Sequence, residues 1–199
     1  FKYRCPAMIL SDGVIGQMME KVVLPPFKPR RTEEEIRKEC PWATIGRTKD
    51  RQPNIMTSLE LKPEVMEQRN LHLQKKYDEI RQNEVRYEAV QCDDADYVIV
   101  AFGSAARIAQ KAIEIARGEG IKVGLLRPIT LWPFPTEAIA RMAEGKKGML
   151  AVEINAGQMV EDVRLAVNGR IPVEHFGRLG GIVPEPNEIV EALKTKLKN

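Results

Sequence analysis

The side chains best suited to chemistry in this chain fall in four short polar sets. They are Gly103–Ser104, then Arg127 with Thr130, then Glu153, Asn155 and Gln158, then Arg178 with Gly180–Gly181. An arginine and a glutamate can grip each other or a partner's opposite charge. A glutamate can also give or take a proton. Asn155-Ala156-Gly157-Gln158 opens a helical pattern, and the unpaired amides of a helix start favour an anion. The preferred reading pairs Glu153 with Arg127 in a structural rim. His175 lies within an apolar run and reads as a core or interface histidine. His72 reads as a solvated or satisfied one. The sequence has no G-x-G-x-x-G or Walker A loop, no metal-ligand cluster and no Ser–His–Asp spacing. No catalytic, cofactor-binding or metal-binding residue is therefore assigned. Ser104, Arg127, Thr130, Glu153, Asn155 and Gln158 are expected to form a rim that meets another subunit.

The elements that must position these residues begin with Asp96–Pro135. Two short runs rich in Val and Ile, Tyr97–Phe102 and Ile121–Leu126, flank a helical pattern. That pattern has Ala at 105, 109, 112 and 116, with Ile108 and Ile115, which makes one small-residue face. Gly103–Ser104 is expected to cap its start, and Gly118 and Gly120 its end. The unit predicts parallel strands joined by a right-handed crossover. The second strand runs into Arg127–Pro135, RPITLWPFP, whose three prolines build a stiff loop.

Further strands are expected at Met149–Ile154 and Ile171–Phe176. Further helices are expected at Thr136–Glu144 (Ile139, Met142 and Ala143 inward) and Gln158–Val167 (on Met159, Val163 and Ala166). A last helix should be capped by Asn187 and packed through Val190, Leu193 and Leu197. Four strands alternating with helices predict an α/β fold, a largely parallel sheet with helices on both faces. The polar sets fall at the carboxyl ends of its strands, where such sheets meet ligands and partners.

The N-terminal part is less regular. Ala7–Leu10 reads as a short strand, Ser11-Asp12-Gly13 as a turn and Val14–Glu20 as a turn or two of helix. Residues 21–62 hold five prolines and read as a linker anchored by Phe27 and Trp42. Within it Thr32 and Glu35 are placed for a capping box. Residues 63–88 form a helix candidate with Met66, Leu73, Ile80 and Tyr87 on one seam and Tyr77 between them. It is a polar rod of roughly 35 Å.

The chain has 199 residues, 30% of them charged and 43% hydrophobic, and a net charge of +3. That weak charge carries no nucleic-acid footprint. No apolar run approaches a membrane span. Cys5, Cys40 and Cys92 are far apart and odd in number, which fits neither a disulfide framework nor a cluster ligand set. A reduced, cytoplasmic setting follows. Phe1 at the start, without a signal pattern, is expected to mark a cut or processed piece.

Arg127–Pro135 (RPITLWPFP), Glu153–Val163 (EINAGQMVEDV) and Pro6–Glu20 (PAMILSDGVIGQMME) together resemble the alpha chain of 2-oxoacid:ferredoxin oxidoreductases. The branch acting on branched-chain 2-oxoacids such as 2-oxoisovalerate (3-methyl-2-oxobutanoate) is the nearest fit. The resemblance implies a C-terminal portion of that chain. Residues 1–20 would end a pyrimidine-binding domain, 21–92 would be the linker, and 93–199 a domain similar to the transketolase C-terminal domain.

It also implies a complex with a thiamine-binding beta subunit, a gamma subunit and a ferredoxin-like subunit. That complex would use thiamine diphosphate with Mg, iron–sulfur clusters and coenzyme A as co-substrate, and would pass electrons to ferredoxin. None of these groups is expected on the present residues, because Ser11-Asp12-Gly13 only echoes the diphosphate motif. The fragment is expected to serve assembly and to be inactive alone. The alternatives are the C-terminal domain of another thiamine-dependent dehydrogenase or synthase, or a non-catalytic interaction module.

Overall fold

The computed structural model describes residues 1–19, 21–44, 46, 49 and 52–197. The chain divides into two compact units, one of residues 1–18 and 74–199, the other of residues 19–73. In chain order the elements are α1 (Gly13–Gln17), α2 (Glu33–Glu39), α3 (Pro63–Asn83), β1 (Tyr87–Val90), β2 (Tyr97–Ala101) and α4 (Gly103–Gly118). They continue as β3 (Val123–Pro128), α5 (Thr136–Met142), β4 (Gly148–Glu153), α6 (Met159–Val167), β5 (Val173–Gly177) and α7 (Pro186–Leu197).

The first unit is built on a five-stranded sheet in the order β1-β3-β2-β4-β5. β1 is antiparallel to β3, and the other pairings are parallel. Every residue of β2 and β4 is buried. Both are near-continuous apolar runs because helices cover both of their faces. On one face α4 and α7 pack over Ile99, Leu125, Leu150 and Val152. On the other, α5 and α6 pack over Val98, Val100, Leu126, Met149 and Ala151. The alanine face of α4 lies against the sheet, with Ala105, Ala109, Ala112 and Ala116 all buried. Larger side chains there would hold the helix away from the strands.

The last turn of α4 is tied to the loop after β1. Arg117 donates to the Val123 carbonyl at 2.8 Å and the Gln91 carbonyl at 2.7 Å, and pairs with Asp94 at 2.7 Å. That guanidinium holds the Asp94 carboxyl below the usual carboxylate range.

Several expectations are corrected. The seam helix ends at Asn83 rather than continuing through residue 88, and Tyr87–Val90 forms β1. The sheet thus has five strands, not four, and begins inside the stretch read as linker. Four residues pairing with the outer edge of β3 satisfy backbone groups that one more helical turn would have left facing that edge. The rest of the seam holds, with Ile80 buried and Met66, Leu73 and Tyr77 half-buried; His72 is exposed.

Ala7–Leu10 is not a strand, and Met8, Ile9 and Leu10 are 82%, 97% and 73% exposed. A strand needs a neighbouring ladder, and none pairs with this segment. The helix expected over Val14–Glu20 is the five-residue α1, and Glu20 lies outside the described residues. Asn187 lies inside α7, and the backbone N–H of Glu185 is taken by the Glu188 carboxylate at 2.9 Å.

In the second unit the capping box forms as expected. Glu35 N donates to Thr32 Oγ1 at 3.2 Å, and Thr32 N donates to Glu35 Oε2 at 2.7 Å. Phe27 is 90% exposed and anchors nothing within its unit, whereas Trp42 is half-buried. No helix among the described residues is long and apolar enough to cross a membrane.

Candidate functional site at the carboxyl ends of the strands

Each polar set sits at the expected edge of the sheet, yet each is engaged within the chain. Ser104 does not cap α4, whose N-cap is Phe102 with no side-chain bond. Its hydroxyl donates instead to the Asp12 carboxylate, the residue that caps α1 through Ile15 N at 2.7 Å. The Ile15 amide and then the Ser104 hydroxyl hold the Asp12 carboxyl below its usual range.

Arg127 does not reach Glu153. The antiparallel register sets Glu88 directly opposite it, and the two pair at 2.9 Å. β4, which carries Glu153, is separated from β3 by β2. Topology therefore overrides the pairing read from the sequence. Both partners are over 40% exposed, 41% and 46%. Arg127→Ala should cost no more than about 1 kcal/mol in urea unfolding. Thr130 closes the same edge, its Oγ1 accepting from Arg86 N at 2.9 Å and donating to Arg86 O at 3.3 Å.

Glu153 is the centre of the site. It is 1% exposed at the end of β4. Its carboxylate accepts from Met159 N at 2.8 Å, Val160 N at 3.0 Å, Gln158 N at 3.2 Å and Asn155 Nδ2 at 3.1 Å. The start of α6 does hold an anion, and the anion is this side chain. Asn155 Oδ1 in turn accepts from Gly157 N at 2.7 Å, so residues 153–160 form one closed hydrogen-bonded turn.

His175, on β5, lies with Nε2 buried and, among the described residues, without a hydrogen-bond partner, 3.9 Å from Glu153 Oε1. Its side chain is 23% exposed, so it lies at the border of the turn rather than in the core. Gly177 is glycine because a Cβ there would run into the Asn155 carbonyl and the His175 ring. Arg178 pairs with Glu188 on α7 at 3.1 Å.

Beside the polar sets this edge is apolar, including the loop after β3 that the sequence marked through its Trp and Phe. The side chains that this edge shows to solvent include Ile129, Leu131 and Trp132 after β3, and Leu179, Ile182 and Val183 after β5. Trp132 meets Tyr77 edge to face, ring centroids 5.7 Å apart. An open groove of about 490 Å³ beside them is lined by Cys5, Pro6, Gln74, Tyr77, Arg81 and Trp132. Among the described residues, no three His, Cys, Asp or Glu side chains group to hold a metal ion.

The fold and this edge define an open α/β domain. Residues 95–189 match the model of the pyruvate:ferredoxin oxidoreductase core domain II. The chain is 42% identical over 193 residues to ketoisovalerate oxidoreductase subunit VorB of Methanothermobacter thermautotrophicus, covering 97% of this chain and 53% of that protein. It is 30% identical over 201 residues to 2-oxoglutarate synthase subunit KorA of Archaeoglobus fulgidus, covering 99% and 55%. The chain spans about half the length of these curated relatives.

Among solved structures, the 2-oxoglutarate:ferredoxin oxidoreductase of Magnetococcus marinus superposes with a TM-score of 0.60 at 23% identity. The match covers 68% of this chain and 24% of that one, and it places the fold alone.

Proposed function

We propose that this chain is part of the alpha-type subunit of a thiamine-diphosphate-dependent 2-oxoacid:ferredoxin oxidoreductase acting on branched-chain 2-oxoacids. The carrying observation is the 42% identity that runs through 97% of the chain to a ketoisovalerate oxidoreductase subunit. In this reading the whole cytoplasmic complex oxidatively decarboxylates the 2-oxoacid, transfers the acyl group to coenzyme A and passes electrons to ferredoxin. Thiamine diphosphate, Mg and the iron–sulfur clusters are held on other subunits or on other parts of this one.

The role of the present residues is assembly. Glu153 braces the loop 155–158 from within, and Arg127, Thr130 and Ser104 brace the neighbouring loops. A rim so braced presents its apolar side chains in fixed positions, which suits a partner subunit more than a reacting substrate. In this reading residues 1–20 end a pyrimidine-binding domain, 21–92 are a linker whose last residues enter the sheet as β1, and 93–199 are a transketolase C-terminal-like domain.

The test is to co-produce the complete alpha-type subunit with its thiamine-binding, gamma and ferredoxin-like partners. Leu131→Asp with Leu179→Asp should leave the chain folded by circular dichroism. Recovery of the complex and its 2-oxoisovalerate-dependent viologen reduction should fall together. Full assembly with normal turnover would refute the rim as an interface. A brown chromophore or saturable thiamine binding by the present chain alone would refute its assembly-only role.

A further inference from the structure

The two oxygens of the buried Glu153 carboxylate are not equally engaged. Oε2 accepts from Met159 N at 2.8 Å, Asn155 Nδ2 at 3.1 Å and Gln158 N at 3.2 Å. Oε1 accepts from Val160 N at 3.0 Å and has only a share in Gln158 N, at 3.3 Å. Oε1 is therefore the oxygen with room for another donor. His175 Nε2 is buried 3.9 Å from it, beyond hydrogen-bond length, and has no other partner among the described residues. The same ring lies against a glycine of each neighbouring loop. A Cβ on Gly157 would stand 3.5 Å from Nε2, and one on Gly177 would stand 2.8 Å from Cε1 and 3.0 Å from Nε2. Gly157 belongs to the loop after β4. Gly177 ends β5 and leads into the loop that carries the exposed Leu179 and Ile182.

We propose that His175 is a proton-operated switch, whose protonated ring closes onto Glu153 and draws the loops after β4 and β5 with it. A neutral ring leaves the 3.9 Å gap open. An imidazolium beside a buried carboxylate is pulled into a charge-assisted hydrogen bond of about 2.8 Å, so the ring must travel about 1 Å. With Gly157 and Gly177 packed against it, neither loop can stay in place when it does. Imidazole is the side chain whose charge ordinarily changes near neutral pH. No second charge competes for the ring among the described neighbours. From β4 it is faced by Glu153, and residues 155–158 carry no ionisable side chain. On α6, Glu161 and Asp162 are exposed, and Arg164 is held by the Val173 carbonyl at 3.1 Å. On β5, Glu174 points to the opposite face of the strand. Arg178 pairs with Glu188 of α7. The switch is a property of this chain and stands whatever docks at the rim.

Nuclear magnetic resonance on the full chain tests it, with the exposed His72 as the reference ring. As the pH falls from about 8 to about 5, the amides of Gly157, Gly177 and Leu179 should shift together, with one midpoint shared by the His175 ring. His175→Gln keeps a nitrogen donor but takes no proton, and it should abolish those shifts. A second reading needs no variant: at the acid end a bonded Nε2–H should give a downfield ring-proton line that exchanges slowly with solvent. Loop amides that stay still while the ring titrates would overturn the switch. So would shifts that persist in His175→Gln, or a ring that takes up no proton across this range.

Discussion

Glu153→Ala should destabilise the sheet domain by about 4 kcal/mol, the largest loss expected from any single polar side chain here. Three backbone N–H groups at the start of α6 and the Asn155 amide would lose their common acceptor, and the N–H groups of Met159 and Val160 are buried. The α6 dipole would also lose the charge that neutralises its positive end. Glu153→Gln keeps the shape but turns an amide donor toward other donors, and should cost roughly 2 kcal/mol. Urea denaturation with an unchanged m-value measures both. Amide exchange should show lost protection at Met159 and Val160 before it appears in β2. A loss under about 1 kcal/mol for the alanine variant would mean that the turn closes without its carboxylate. The sequence reading paired Glu153 with Arg127 in a rim, whereas the carboxylate is buried against the α6 amides.

Gly124→Ala should cost about 3 kcal/mol and lower the thermal midpoint by roughly 10 °C. A Cβ on this β3 residue would stand 2.6 Å from the Gln91 carbonyl oxygen and 2.8 Å from Cys92 Cα. Both are backbone atoms, so the strain cannot be relieved by turning a side chain. The turn after β1 would have to move, and with it the Cys92 thiol that donates to Leu125 O at 3.3 Å and the Gln91 carbonyl that Arg117 holds. Gly118→Ala is the matched control, because nothing lies within 4 Å of its added methyl at the end of α4. It should be neutral or stabilising by about 0.5 kcal/mol. Equal destabilisation by the two alanines would remove the close approach as the explanation.

The legible parts of the fold were those whose partners lie near in sequence. The alanine spacing of α4 named its buried face, and the Val- and Ile-rich runs named β2 and β3, because a strand covered on both faces is largely apolar. The Thr32–Glu35 capping box was readable for the same reason, its two bonds spanning three residues. The carboxyl-edge placement of Ser104, Arg127, Thr130, Glu153, Asn155 and Gln158 followed once the strands were known.

Their partners did not follow. Arg127 faces Glu88 because β1 pairs antiparallel with β3, and β1 itself was hidden inside a helical heptad that Tyr87 extends by coincidence of spacing. Glu153 faces the α6 amides because β4 ends directly beneath that helix.

The sequence by itself therefore determined the α/β alternation, the buried faces and which strand ends carry polar side chains. Each of these depends on periodicity and on local capping chemistry. Only the tertiary structure decided what those polar side chains do. Strand order and register choose among several opposite charges of the right type, and neither is written in the spacing along the chain. It also decided that the exposed part of the edge is apolar, since burial depends on which neighbours the fold supplies and not on the residue alone.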